Sequence, residues 1–516
     1  MFKIIFGINL RDITFSLSGP KTDSPSLPLS NISPLICLNS MFLLELELKL
    51  TKNEGNNRLK RNTMLKKMRL EKKEERKFQP AQVLIASFLI SIFVGTMLLL
   101  LPLSSKSGHI SFIDALFTAT SAICVTGLTV RETATYFSTF GQIVLLTLIQ
   151  LGGLGIMTFS TLILFVAGKK ISIKDRLILQ EGFHPSYPYE VKALIKKVVL
   201  YFLVIEAFGF LSLFLSFYSN FPLPQAIFNS LFHSVSAFCN AGFSLFSTSL
   251  VSYHGHIGVN LTIIILIVLG GLGFLVLDEI SKIKKFFSKK EKKKASLHTK
   301  LVLRMTSFLI LFPFLLFLAL EWGHSLKGFS LKNKIIISLF QVITPRTAGF
   351  NTIDLNTLSF ATIFLLIMLM FVGASPGSTG GGVKTITIGV IFAFLKAKIA
   401  ARESISIYQR SLPFETITKA YTIVTLSLLI IFLNSFLLLL LHPWASISMV
   451  IFEVFSAFGT VGLSLGMTPK LCVLGKIVII LTMYIGRIGA LTLLYALSRA
   501  TPFGKYAYVE ENVMIG

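Results

Sequence analysis

Charge is scarce in this sequence. Only 14% of its 516 residues are Asp, Glu, Lys or Arg, where a soluble chain carries about 25%. Tryptophan is rarer still, 2 residues against 47 phenylalanines. The four cysteines, Cys37, Cys124, Cys239 and Cys472, show no CxxC spacing, and no His/Cys group has metal-ligand spacing. That excludes a disulfide framework and a structural zinc site. No Rossmann fingerprint is present, so nucleotide control by this chain itself is excluded by that route. Nor is there a cluster of His, Asp or Glu within an apolar run, which a membrane enzyme would need. No small-residue cleavage site follows a compact apolar core near the N-terminus, which excludes a signal peptide.

Long apolar runs, by contrast, recur: 83–103, 199–217, 259–277, 360–373, 421–441 and 473–485. Several approach or exceed the roughly 18–20 residues that carry a helix across a bilayer. The chain reads as an all-α polytopic membrane protein. Its net charge of +25 is distributed accordingly. Lys and Arg crowd 58–77, 168–198, 281–304 and 396–419, whereas 219–229, 243–258 and 442–449 hold none. Basic loops stay in the cytoplasm, so the alternation sets a topology and excludes a nucleic-acid partner. Residues 1–78 form an N-terminal cytoplasmic segment expected to be poorly ordered. Met64 and Met68 are candidate alternative starts, which makes 1–63 a possible start-site artefact.

Four segments align on a glycine: Cys124–Leu128, Cys239–Phe243, Arg346–Phe350 and Gly459–Leu463. Gly127, Gly242, Gly349 and Gly462 are 115, 107 and 113 residues apart. Ser121-Ala122, Ser236-Ala237 and Ser456-Ala457 precede their glycines in one register, and so do Phe117, Phe232 and Phe452. The third repeat departs, with Leu339 and Ile343-Thr344 at those places. Each glycine follows a short apolar segment, near 111–123, 226–238, 334–344 and 448–458. These are too short to span. A second small-residue mark comes 24–28 residues later: Gly152-Gly153, Gly270-Gly271, Gly373-Ala374 and Gly486. The repeats run 79–168, 195–280, 300–398 and 416–499, with a cytoplasmic tail at 500–516. Each is a span, a short re-entrant helix, an extended strand and a second span, giving eight spanning helices.

Irregular backbone at membrane depth is tolerated where it lines a watery cavity. Four short helices whose C-termini carry partial negative charge favour a cation between them. The segments beyond, Val125-Thr126-Gly127, Asn240-Ala241-Gly242, Thr347-Ala348-Gly349 and Thr460-Val461-Gly462, can then turn carbonyl oxygens toward one axis. That is how potassium filters replace a hydration shell. Small-residue helix contacts explain one such glycine well, but not four in register.

With these four segments the sequence resembles the Trk/Ktr/HKT superfamily of potassium transporters over about 79–516. It lacks two additional N-terminal helices usual in Trk-type members, so the Ktr-type B subunits fit better. The resemblance implies four M1–P–M2 units around one pore, with eight spanning and four re-entrant helices. It implies potassium selectivity, because Gly127 stands where some sodium-preferring plant relatives carry serine. It also implies a homodimer resting on a cytoplasmic nucleotide-binding ring of RCK type, in a bacterial plasma membrane with both termini inside.

The third repeat contains Gly373-Ala374-Ser375-Pro376-Gly377-Ser378-Thr379-Gly380-Gly381-Gly382 between apolar segments. So much glycine with a proline cannot continue a helix. A phosphate loop is excluded, since Val383 stands where its lysine should be. A broken segment at this depth should line the pore, and it resembles the family's intramembrane gate. Arg487, buried in the last span, is costly there and expected to be functional. The resemblance makes it a pore-facing arginine that bars the pathway with that loop. Four other polar residues carry lesser expectations. Glu206 is read as structural pairing and His233 as packing or a hydrogen bond. Asp114 suits a helix N-terminus and could attract cations to the outer mouth, and Arg346 is scaffold at the external side.

The expected function is ion translocation in a potassium uptake system, with K+ at the filter carbonyls, no bound cofactor and no catalysis. Coupling to Na+ stays open. The alternatives are a sodium-preferring or non-selective cation transporter of the same superfamily, or a secondary transporter of an organic solute. The last should show inverted repeats and buried charged ligands.

Overall fold

The computed structural model describes residues 80–155, 191–286, 295–402 and 405–497. All belong to one compact unit, Phe78–Gly516. The expected N-terminal segment 1–78 and the tail 500–516 lie outside the described residues. So do 168–190 of one basic loop and 287–294 of another.

The described chain is mostly helical. Helices α1 (Pro80–Leu100), α2 (Phe112–Ile123) and α3 (Thr139–Leu154) come first. They are followed by α4 (Val191–Phe217), α5 (Leu223–Phe238), α6 (Ile257–Leu272) and α7 (Phe274–Phe286). Next are α8 (Leu297–Glu321), α9 (Leu331–Ile343), α10 (Phe360–Phe371) and α11 (Thr385–Ile399). A small hairpin, β1 (Ser406–Ile407) with β2 (Arg410–Ser411), leads into α12 (Phe414–Leu441). The described chain closes with α13 (Ile447–Gly459), α14 (Val473–Ile488) and α15 (Ala490–Leu497).

Helix starts are fixed by serine. Ser111, Ser138, Ser296, Ser330, Ser359 and Ser446 each accept the backbone N–H three residues on. A cap of this kind is worth about 1 kcal/mol, and it matters most where little water is present to satisfy the first turn.

The surface is apolar where a soluble protein's would be polar. Leu215 is 70% exposed on α4, Leu315 63% on α8 and Leu429 65% on α12, each among similar neighbours. Thr118, Ser121, Thr126, Ser236, Asn240 and Thr460 are fully buried instead. Apolar patches of that extent mark a lipid or partner surface. Among the described residues three helices are long and apolar enough to cross a bilayer, or four if α6 and α7 count as one.

The second helix of each repeat is shorter than the sequence implies. α3 ends at Gly155, α6 bends by 100° into α7 at Gly273, α10 stops at Phe371, and α14 ends at Gly489. Gly155, Gly273 and Gly489 have φ of 75°, 90° and 94°, a region that ends a right-handed helix and suits glycine. Uninterrupted second spans were expected outside the third repeat. In the first, second and fourth repeats the helix instead ends at a positive-φ glycine three residues past Gly152, Gly270 and Gly486, and in the third it stops at Phe371, ahead of the glycine-rich loop.

The repeats interlock in a circle. α3 packs on α5, α6 on α9, α10 on α13, and α14 returns to α2. Each second helix thus rests against the short helix of the next repeat.

Candidate functional site

The four short helices begin and end within four residues of the expected segments. Past each helix the chain turns into an extended stretch, and the four stretches meet. A Cβ on Gly127 would strike the Ala241 carbonyl oxygen; on Gly242, that of Ala348; on Gly349, that of Val461; on Gly462, that of Thr126. The order closes on itself, so the glycines form a ring. Each has a positive φ, 90°, 70°, 77° and 92° in turn. Two residues before each glycine, Val125, Asn240, Thr347 and Thr460 also have positive φ, 51–71°. A non-glycine residue held there costs on the order of 1–3 kcal/mol, most for β-branched valine and threonine. Four such residues in register are retained because the surroundings impose them.

The imposing contacts also repeat. The carbonyls of Ser121, Ser236 and Ser456 accept the N–H of Thr126 (2.8 Å), Ala241 (2.7 Å) and Val461 (2.8 Å). The hydroxyls of Ser121 and Ser456 accept the N–H of Gly127 and Gly462, both at 3.1 Å. The Ser236 hydroxyl donates to the Phe243 carbonyl at 2.7 Å. In the third repeat Thr344, one position later, does both jobs: its carbonyl accepts from Ala348 and its hydroxyl donates to Phe350 at 2.6 Å. The sequence departure there is a one-residue shift of the same brace.

The second small-residue marks have a common cause too. A Cβ on Gly152, Gly270 or Gly486 would strike the carbonyl oxygen of Ile123, Phe238 or Phe458 at the end of the same repeat's short helix. In the third repeat Gly373 instead faces Gly381, within the glycine-rich loop.

That loop, Gly373–Lys384, closes on itself through Gly373 N–H to Val383 O at 2.9 Å. It is pinned by the second and fourth repeats. Ser375 and Thr379 donate backbone N–H groups to Gly271 and Gly270 of α6, and Gly377 accepts from Phe274. Gly382 donates to Gly486, and Gly381 to the Thr460 hydroxyl at 3.1 Å. A Cβ on Gly380 would strike the Thr347 hydroxyl, so the loop lies against the ring. Arg487 donates one nitrogen to the Thr379 carbonyl and another to the Gly152 carbonyl. It therefore joins loop and α3 at their breaks. Ser378 bonds Ser375 O, and Pro376 stands opposite Gly273.

On the other side of the ring is a cavity of about 200 Å³, lined by all four glycines together with Glu132, Asn351 and Ser464. Thr126 Oγ1 and Asn240 Oδ1 are buried at the ring without a protein partner.

The lesser residues divide. His233 bonds Asn229 O at 2.7 Å and Ser244 Oγ at 2.9 Å and stacks on Phe246, as expected. Glu206 accepts from Gln150 at 3.0 Å. Asp114 occupies a helix start, where Lys476 (2.6 Å) and Arg131 (3.2 Å) pair with it. Arg346 lies on the loop side of the ring: its guanidinium reaches Thr306 at 3.4 Å, and its neighbour Thr347 touches the loop. The chain crosses the ring from loop side to cavity side, so a residue preceding the glycine by three belongs to the loop side.

Two residues escaped the sequence reading. Glu453 on α13 is fully buried and accepts from Ser464 at 2.7 Å and from Thr468. It precedes Gly462 by nine, as His233 precedes Gly242, and each bonds the serine two beyond its glycine. That shared register was the available signal. Lys384 donates to Gly380 O at 2.7 Å, and its place at the loop's end marked it.

Residues 60–508 match the TrkH family, described as cation transport protein. The chain is 41% identical over 442 residues to the Ktr system potassium uptake protein B of Bacillus subtilis, covering 85% of this chain and 97% of that one. It is 38% identical over 456 residues to the potassium/sodium uptake protein NtpJ of Enterococcus hirae, with 87% and 99% covered. The crystal structure of the potassium transporter TrkH from Vibrio parahaemolyticus matches with a TM-score of 0.66 at 20% identity, covering 82% and 86%. That last likeness is one of fold.

Proposed function

The chain belongs to the TrkH family of cation transport proteins, and we propose that it is the ion-translocating subunit of a bacterial potassium uptake system. Its four repeats are M1–P–M2 units, with eight spanning helices and four re-entrant ones, bounded as the sequence divides them. The observation that carries this is the closed ring of Gly127, Gly242, Gly349 and Gly462, with left-handed residues two positions before each. A left-handed residue between right-handed or extended ones turns successive carbonyls the same way. Carbonyls of Val125-Thr126-Gly127 and its three equivalents would then solvate a bare K+, with Thr126 Oγ1 and Asn240 Oδ1 available to it or its water.

Glycine-rich residues Gly373–Gly382 with Arg487 are the gate. A guanidinium beneath the ring repels an entering cation, and its two carbonyl bonds hold the loop across the path. Opening requires that both bonds break. The chain performs no catalysis and holds no cofactor; K+ is cargo. It functions in the plasma membrane with both termini inside, as a homodimer. The name Ktr system given to its relative supports a further, cytoplasmic subunit, and an RCK-type ring is the form the resemblance implies.

The name of the Enterococcus relative, a potassium/sodium uptake protein, supports testing sodium as a coupled or alternative cargo. Rubidium uptake into an uptake-deficient strain, with and without sodium, tests both readings. Growth rescue at low potassium with rubidium uptake is expected. Sodium uptake without rubidium uptake would replace the potassium reading by the sodium one.

A further inference from the structure

A second cavity, of about 340 Å³, lies away from the ring between α8, α11 and the β1–β2 hairpin. Arg304, Lys396 and Arg402 all line it, beside Leu301, Ile407 and Tyr408. Among the described residues no carboxylate pairs with any of these three cations. Nor are they needed to cap α11. The carbonyls of Lys396, Ala397 and Lys398 already accept the N–H groups of Ala400, Arg402 and Ala401.

The walls are built to keep the cavity open on its cationic side. Gly389 brings α11 against Leu301 and Met305 of α8, while Ile405 is buried with Val390, Ala397 and Ile417 beneath the hairpin. The hairpin turn is Tyr408-Gln409, with φ of 51° and 62°. A two-residue turn with both φ positive ordinarily takes Asn-Gly, and a tyrosine there is strained. That strain sets the Tyr408 ring 5.8 Å from both Lys300 Nζ and Arg304 Cζ, with its hydroxyl accepting from Arg304 at 3.3 Å. Arg304 is thereby aimed without being neutralised.

We propose that this cavity binds a phosphate group, that of an anionic phospholipid headgroup at the cytoplasmic face of the membrane, and that its occupancy restrains the gate loop through α11. Converging guanidinium and ammonium groups recognise phosphate oxygens. Basic pockets between membrane helices on the cytoplasmic side take lipid headgroups in this way. The lipid source is favoured by the apolar exposure of the two helices that form the cavity: Leu303 of α8 and Phe392, Leu395 and Ile399 of α11 are exposed, Ile399 to 87%, which suits acyl chains. α11 begins at Thr385, whose hydroxyl bonds Ser375 at 3.0 Å, and the preceding Lys384 holds Gly380. Its 15 residues make a rigid lever about 22 Å long. Clamping the Lys396 end to α8 fixes the end that carries the loop. The coupling half rests on the gate reading; the binding half does not.

Native mass spectrometry of the full chain in neutral detergent tests the site without reference to flux. Phosphatidylglycerol should be retained and phosphatidylcholine should not. The R304Q/K396Q/R402Q variant should bind phosphatidylglycerol more weakly by roughly fivefold per removed charge, with Lys396→Gln alone as the milder probe if the triple variant elutes as aggregate. Displacement of the lipid by inorganic phosphate would identify free phosphate as a second source of the same group. Equal retention by wild type and Lys396→Gln overturns the site. Rubidium leak from vesicles of phosphatidylcholine, with or without phosphatidylglycerol, then reads the coupling. A lipid effect in wild type that vanishes in Lys396→Gln is expected, and an effect of the same size in both overturns the coupling while leaving the site.

Discussion

At the scale of the residue, the ring depends on the absence of side chains at four positions. Gly127→Ala or Gly462→Ala should lower rubidium uptake by at least roughly tenfold at equal membrane expression, because positive φ and a backbone collision coincide there. Gly108 is the control: its φ is also positive, at 77°, but nothing lies within 4 Å of an added Cβ. Gly108→Ala should leave uptake within about twofold. Equal losses in both would show that backbone strain alone, not the close approach of four segments, is being measured. Glu453 acts more subtly, bracing the chain beyond Gly462 through Ser464 and Thr468. Glu453→Ala removes the acceptor of the buried Thr468 hydroxyl and of the half-buried Ser464 hydroxyl, which are left to bond each other, at about 1–3 kcal/mol, whereas glutamine keeps one acceptor. The expected outcome is a reduced preference for rubidium over sodium in the alanine variant and a smaller change in the glutamine variant. Identical selectivity in both would remove Glu453 from the ring's support.

At the scale of the element, the glycine register was open to reading because it is local: a short apolar segment, serine six before, glycine at the end. The breaks in α3, α6 and α14 were less so. Gly152, Gly270 and Gly486, three residues before those breaks, read as marks, but the reason for them is a carbonyl belonging to a helix some thirty residues earlier. The place of Arg346 on the loop side has a similar origin, since it depends on which way the chain crosses the ring. The loop Gly373–Lys384 announced its irregularity by composition, while its fastening by Gly270, Gly271 and Gly486 is contributed by other repeats. Arg487 is the element-level lever. Arg487→Ala removes two charge-assisted bonds, and leak through the closed state should rise by about tenfold or more. Lysine restores the charge but has no fork to span both carbonyls, so Arg487→Lys should fall between. Uptake unchanged in both variants would separate Arg487 from the proposed gate.

At the scale of the whole molecule, one chain must close a circle that a tetramer closes by symmetry, and the seam between its last and first repeats is tied by charge. Lys476 of α14 meets Asp114 of α2 at 2.6 Å, across 362 residues of sequence, with side chains 14% and 3% exposed. Burial by itself would raise the Asp114 carboxyl, but Lys476 and then Arg131 outweigh it and hold it below the usual carboxylate range. A carboxyl lowered in the folded state contributes stability above its unfolded pKa, and that contribution is lost as pH falls through the folded value. Lys476→Gln leaves Asp114 with Arg131 alone, at 51% exposure, and removing one partner of a buried pair costs up to about 3 kcal/mol. The detergent-solubilised variant should therefore melt several degrees lower than wild type at neutral pH. The gap should narrow in acid below about pH 4, where the Asp114 carboxyl of the unfolded chain begins to protonate, and close as pH falls through the lowered folded value. The pair K476Q and D114N should couple in a double-mutant cycle, since neutralising Asp114 removes what Lys476 pairs with. Additive losses that do not change with pH would mean that packing of α14 on α2, and not this ion pair, holds the seam shut.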